Sequence, residues 1–142
     1  MENEKSYNKS TIRVIKFILI TAVVVFILLA AFFVFKVYSE GRFALREAKN
    51  VKLALYTTDI ELYPAGKCVY APERYDGLAD GVIENVEKYA GVSSGVTILS
   101  YDREEREILM FTYSANNYLV RYEYDGENEH WTVDYLWRIL VY

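Results

Sequence analysis

A single cysteine, Cys68, and a single histidine, His130, stand in this 142-residue chain. One thiol cannot close a disulfide within the chain, so a disulfide scaffold is excluded, and no Cys/His spacing for a metal site exists. Cys68 reads as a small buried or half-buried residue, with intermolecular pairing as the other reading. Proline is almost as scarce: Pro64 and Pro72 are the two present, and the first 63 residues contain no proline and one glycine, Gly41. Nothing in that stretch except Gly41 interrupts a helix. Positive charge is also short in the second half. Residues 64–142 carry seven Lys or Arg against fourteen Asp or Glu, a net of −7. Nucleic acid, whose phosphates call for a basic surface, is therefore excluded as a partner.

The motifs of chemistry are missing as well. His130 and Asp134 lack an accompanying nucleophile motif, and His130 falls in the polar turn DGENEH, where a solvated residue is expected. Asp102, Glu104, Glu105 and Glu107 surround Arg103 and Arg106 in a DREER turn. Carboxylates do acid–base work only in a cleft that shifts their pKa values, and a hairpin tip reads as solvated loop. No Gly-rich phosphate loop is present. Asp125, Glu127, Asn128 and Glu129 offer oxygens to calcium, as do Asp76 and Asp80, but neither stretch has the twelve-residue calcium-loop pattern. No cofactor or metal is expected, and the chain reads as non-enzymatic.

What the chain does have is a long oily run. Phe17–Phe35 is 19 consecutive uncharged, mostly apolar residues bracketed by Lys16 and Lys36. At the helical rise it spans about 28 Å, close to the hydrocarbon thickness of a bilayer. A cleaved signal peptide is the competing reading. Its apolar core usually has about 7–15 residues, and Val37-Tyr38-Ser39 is a poor cut site. Lys5, Lys9, Arg13 and Lys16 precede the span, and Lys36, Arg42, Arg46, Lys49 and Lys52 follow it, so flanking charge decides little about orientation. The acidic, tyrosine-rich remainder fits the outside of a cell. The expected layout is a cytoplasmic tail at 1–10, a helix at 11–63 beginning near Ser10 or Thr11, and an extracytoplasmic domain at 64–142. The protein is expected at the cell membrane, single-pass, with membrane lipid as a partner.

After the oily run the helical pattern persists over 38–63. Gly41, Ala44, Ala48, Val51, Leu55, Thr58 and Leu62 recur at steps of three and four and share one face, while Arg42, Arg46, Lys49 and Asp59 are expected to project elsewhere. Gly41 is the weak point at which a kink is expected. Pro64 and Gly66 stop the helix. Residues 64–77 read as a loop, and Ala79–Ala90 as a short helix. Four strands follow: Val96–Tyr101, Glu107–Ser114, Tyr118–Tyr124, and an alternating Trp131, Val133, Tyr135, Trp137. Short connections make them an antiparallel meander, whose apolar face needs a cover. The expected fold is α+β: one long N-terminal helix, transmembrane in its first half and amphipathic in its second, packed on a four-stranded sheet.

This arrangement, with the segment EGRFALREAKNVKLAL and the KFILIT that opens the oily run, resembles type IV pilins and pseudopilins, here with a degenerate processing motif. The resemblance covers most of the chain as architecture and about Phe17–Tyr63 as residues. It implies a non-catalytic subunit of a surface filament or secretion apparatus, with partners that are further copies of the chain or other pilin-like subunits. By that resemblance Phe17 matches the first residue of the processed chain. Lys16 stands where the family has the Gly before the cut, and Thr21 where it has the Glu that registers one subunit on the next. The residues that would carry packing and assembly are then Phe17, Thr21, Gly41, Ala44, Ala48, Val51, Leu55 and Leu62. The alternative is a single-pass anchored module that binds a ligand or protein and never polymerises. Fourteen tyrosines, large and amphipathic, serve either reading or simply the strands.

Overall fold

The computed structural model describes residues 2–136, with side chains from residue 11. The chain divides into two compact units, Met1–Ser39 and Glu40–Tyr142. Helix α1 is assigned over Glu2–Leu62 and so contributes to both. The expected start near Ser10 is corrected: helix extends back to Glu2. The tail lacks proline and glycine, and adding residues to an existing helix costs little.

In the first unit every side chain from 11 to 39 is exposed except the half-buried Val37. Phe17 is 72% exposed and Phe26 73%. Thr21 satisfies its own hydroxyl by donating to the Phe17 carbonyl at 2.9 Å, one turn back. Among the described residues this is one helix long and apolar enough to cross a membrane, and it is compatible with a single-pass span.

The second unit is α+β. Strands β1 (Val96–Asp102), β2 (Glu107–Ala115), β3 (Tyr118–Tyr124) and β4 (Glu129–Tyr135) form an antiparallel sheet in the order β1-β2-β3-β4. The meander matches the alternation in the sequence. Strand β4 starts two residues earlier than expected, and Trp137 lies outside the described residues. Residues 40–62 of α1 cover one face of the sheet. Ala44, Ala48, Val51, Ala54 and Leu55 are buried there, opposite Phe111, Tyr113, Tyr118, Val120 and Tyr122. The small residues let the helix approach closely. A Cβ on Gly41 would sit 3.4 Å from the Tyr118 ring and 3.7 Å from Val133. Helix α1 continues through Gly41, and the missing side chain there serves packing. Leu62, expected against the sheet, is only half-buried because α1 ends there and a 3-10 turn, Tyr63–Ala65, leads away.

The loop after that turn docks on β1. Val69, Ala71 and Leu78 are buried, Tyr70 bridges Leu78, and the Ile98 N–H donates to the Asp76 carbonyl at 2.9 Å. Gly77 permits this approach: its φ is +65°, and a Cβ there would fall 2.2 Å from the Ile98 carbonyl oxygen. The otherwise open edge of β1 is thus partly covered, as edge strands require. Helix α2 spans Val82–Ala90, shorter than expected, because Gly81 takes a left-handed φ of 82° and separates it from Ala79.

Candidate binding groove and the Asp59 junction

The last turn of α1 carries a carboxylate that the sequence reading placed in solvent. Asp59 is 5% exposed. Its Oδ2 lies 2.8 Å from Arg106 Nη2, and its Oδ1 accepts the Val69 N–H at 3.0 Å. The Tyr101 hydroxyl also donates to it, at 3.1 Å and 3.2 Å from the two oxygens. Arg106 in turn donates to the carbonyls of Asp59 and Lys67, each at 3.0 Å, and lies over the Tyr63 ring at 5.0 Å. One carboxylate therefore ties the helix end, the following loop, β1 and the β1–β2 turn together. Burial, and then the neighbouring Asp59 charge, hold the Tyr101 hydroxyl well above the ordinary tyrosine range. Such a buried pair is satisfied on both sides, the condition under which a buried charge is tolerated.

The DREER turn is accordingly more than solvated loop. Asp102 Oδ1 accepts the N–H groups of Glu104 and Glu105 at 2.8 and 3.1 Å and closes the turn. Arg106, at a left-handed φ of 56°, then reaches inward to Asp59.

Beside this junction runs a groove of about 620 Å³. One wall is α1, with Lys49, Lys52, Leu53 and Tyr56; the other is Glu105–Ile108 with Glu129 and Trp131 of β4. Leu53 and Tyr56 are 65% and 58% exposed. Two ion pairs, Lys52–Glu129 and Arg106–Asp59, lie in its walls. Lys52 hydrogen-bonds Glu129 and lies 4.4 Å from the centre of the Tyr122 ring. Burial alone would lower the Lys52 pKa, but its bonds to Glu129 and Tyr122 outweigh it and the net shift is upward. Glu129 moves the other way: the bond from Lys52 lowers it, burial opposes, and the Trp131 indole N–H at 3.3 Å lowers it further. Lys49 sits over Trp131 at 5.7 Å. The lining holds no serine, cysteine or histidine. Aromatic faces bordered by ion pairs suit recognition of a partly apolar, partly polar surface.

The helix stripe lies away from this groove. Ala44, Ala48, Val51 and Leu55 are buried under the sheet, Gly41 and Leu62 are half-buried at its ends, and Phe17 and Thr21 are exposed in the first unit. Two tyrosines extend the contact by reaching glutamates on α1. The Tyr113 hydroxyl donates to Glu47 at 3.2 Å and that of Tyr118 to Glu40 at 3.4 Å. Burial and the Glu47 charge push Tyr113 up to about 12. Thr58, fully buried, has a hydroxyl without a hydrogen-bond partner.

The calcium candidates are not gathered. Asp125 Oδ1 accepts the N–H groups of Glu127 and Asn128 at 2.9 and 2.7 Å, and Oδ2 meets His130 Nε2 at 3.0 Å. Those contacts, led by the Asn128 N–H, hold Asp125 at about 2. Glu129 is turned to Lys52 instead. Among the described residues no three Asp, Glu, His or Cys side chains are arranged to hold a metal. His130, expected in the turn, is the second residue of β4, paired with Glu123 and exposed, and Cys68 is half-buried with its thiol donating to the Tyr70 carbonyl at 3.3 Å.

The Asp59 junction was missed because residue type was allowed to overrule position. Asp59 is four residues after Leu55 and belongs on the buried face by spacing alone. No protein-family model matches the sequence, and no curated protein or solved structure matches it either.

Proposed function

We propose that the chain is a membrane-anchored, pilin-like structural or accessory subunit of a surface filament or secretion apparatus, with its second unit on the extracytoplasmic side. The observation that supports this reading is α1 itself. Its residues 17–35 offer apolar side chains on all sides, and its residues 40–62 offer one stripe, already covered by an antiparallel sheet. A lone span with no buried face can rest in lipid and later be buried by its equivalents in neighbouring subunits. No step of that role needs a reacting group.

A second reading is favoured by the groove beside Lys52 and Trp131: an anchored module that binds a ligand or protein and stays monomeric. The two separate in one experiment on protein from its native membrane, intact mass with sequencing of its first residues. A chain beginning at Phe17 would mean processing despite Lys16, and supports filament entry. A chain that retains residues before Phe17 means a permanent anchor, and the binding module then takes precedence. Cross-linking in the membrane checks the outcome: the subunit gives ladders through residues 17–35, the module gives none.

A further inference from the structure

Within the second unit, α1 carries another line of residues that the fold does not use. Arg46, Lys49, Leu53, Tyr56 and Ile60 recur at steps of three and four, and Tyr63, just past the end of α1, continues them. This is the spacing of a helix seam. At about 100° per residue the line is centred roughly 160° round α1 from the stripe buried under the sheet. All six side chains are exposed, and the four apolar ones keep more than half of their surface in solvent. Single apolar residues on a surface are ordinary, but four in one line at the lip of a groove mark a contact. A helix with an apolar stripe on each side has two faces to cover, and the sheet covers one.

The charge along the line selects the occupant. Lys52, one step aside, is already held by Glu129, and Arg106 by Asp59. Arg46 and Lys49 have no ion pair among the described residues, and neither do Glu105 and Glu107 on the far lip of the groove. A second copy does not answer these charges. Laid parallel and in register, its α1 sets Arg46 and Lys49 against their own counterparts. Laid antiparallel about Leu53, it sets them against Ile60 and Tyr56, without a counter-charge. We propose that this line docks an amphipathic helix of a different protein. Apolar side chains of that helix, at the same alternating spacing, lie along Leu53, Tyr56, Ile60 and Tyr63. Carboxylates at one of its ends face Arg46 and Lys49, and a cation on its flank faces Glu105 and Glu107, which fixes its direction. Arg46 to Ile60 is about 21 Å at the helical rise, so the partner contributes about four turns. The inference uses residues of the second unit alone and holds for a filament subunit and a monomeric module alike.

The test places a photoreactive residue on the line in cells that make the full chain. With Tyr56→benzoylphenylalanine, light should give an adduct heavier than the chain by a second, different protein. Digestion should map the linked peptide to an amphipathic helix with Asp or Glu at the end that faces Lys49. Arg46→Glu with Lys49→Glu, added to that variant, should lower the yield about fivefold or more. Arg46→Glu alone, at an exposed side chain outside the core, guards against misfolding and should give a smaller loss of the same kind. Yield that survives both changes overturns the proposal, and so does equal yield from Asn50→benzoylphenylalanine, exposed but off the line. An adduct at twice the mass of the chain assigns the face to a second copy; it overturns the docking of a different protein and leaves the filament-subunit reading standing. Lipid adducts alone overturn it in favour of a membrane surface. No adduct at Tyr56, while Phe26→benzoylphenylalanine in the oily run still reacts, overturns it by leaving the face bare.

Discussion

Two stretches of α1 obey different rules. Residues 17–35 are uncharged and mostly apolar around the whole circumference and expose every side chain, while residues 40–62 bury a narrow stripe and expose charge on the rest. On the membrane-anchor reading proposed above, the first is stabilised by lipid and has no register to keep within the chain, so its composition matters more than its order. The second is stabilised by one sheet, and single positions decide its fate. Substitutions of the same kind should therefore have unlike effects in the two stretches.

The largest effect is expected at Leu55, fully buried against the sheet. Leu55→Asp combines a lost aliphatic side chain with a buried unpaired charge, more than about 4 kcal/mol, and should abolish the cooperative unfolding transition while the chain still fractionates with membranes. A normal transition in that variant would overturn the helix-on-sheet account. Next is Asp59→Ala, which strands a partly buried Arg106 and frees the Val69 N–H and Tyr101 hydroxyl. A loss toward the lower end of about 3–5 kcal/mol is expected by urea denaturation, since Arg106 keeps some access to water. In the other stretch Val24→Asp should cost about 2.5–3.5 kcal/mol of insertion free energy. It should lower the membrane-bound fraction yet leave the unfolding midpoint of the second unit where it was; a shifted midpoint would break the comparison.

Smaller still is Thr58→Val. It replaces a buried, unpartnered hydroxyl by a methyl of the same shape and should stabilise by about 1 kcal/mol, read as a higher midpoint. The gentlest probe is alkaline pH. Tyr101, Tyr113, Tyr118 and Tyr122 all have raised pKa values, each through burial first. A raised folded pKa gives stability that is complete below the unfolded value of about 10 and declines as pH rises toward the folded one. Stability should fall between about pH 10 and the Tyr113 value of about 12, and Tyr113→Phe should flatten that slope.

Much of this was legible in the residues. Alternation in Tyr118–Tyr124 gave the strand and its buried face, because a period of two is local. Steps of three and four from Gly41 to Thr58 gave the helix stripe for the same reason. Ala54 was passed over although it lies three residues after Val51, because Leu55 already continued the stripe at a step of four; the buried face is two residues wide at that turn. The Asp59–Arg106 pair was out of reach in another way: spacing puts Asp59 on the buried face, but its partner is 47 residues away and nothing local selects Arg106. The groove was hidden likewise, since Lys52 meets Glu129 across 77 residues.

Those separations also set an order of events. The stripe from Ala44 to Leu55 leaves the ribosome before any of the strands that cover it, and its partners Tyr113 and Tyr118 come 66 and 78 residues after the glutamates they bind. At cellular speeds of synthesis that is an interval of about 3–16 s. The meander can form from its own short-range pairings as it emerges, but its docking onto the helix must wait. For those seconds the nascent chain displays a bare apolar stripe, which makes that interval the moment when a holding factor has most to act on.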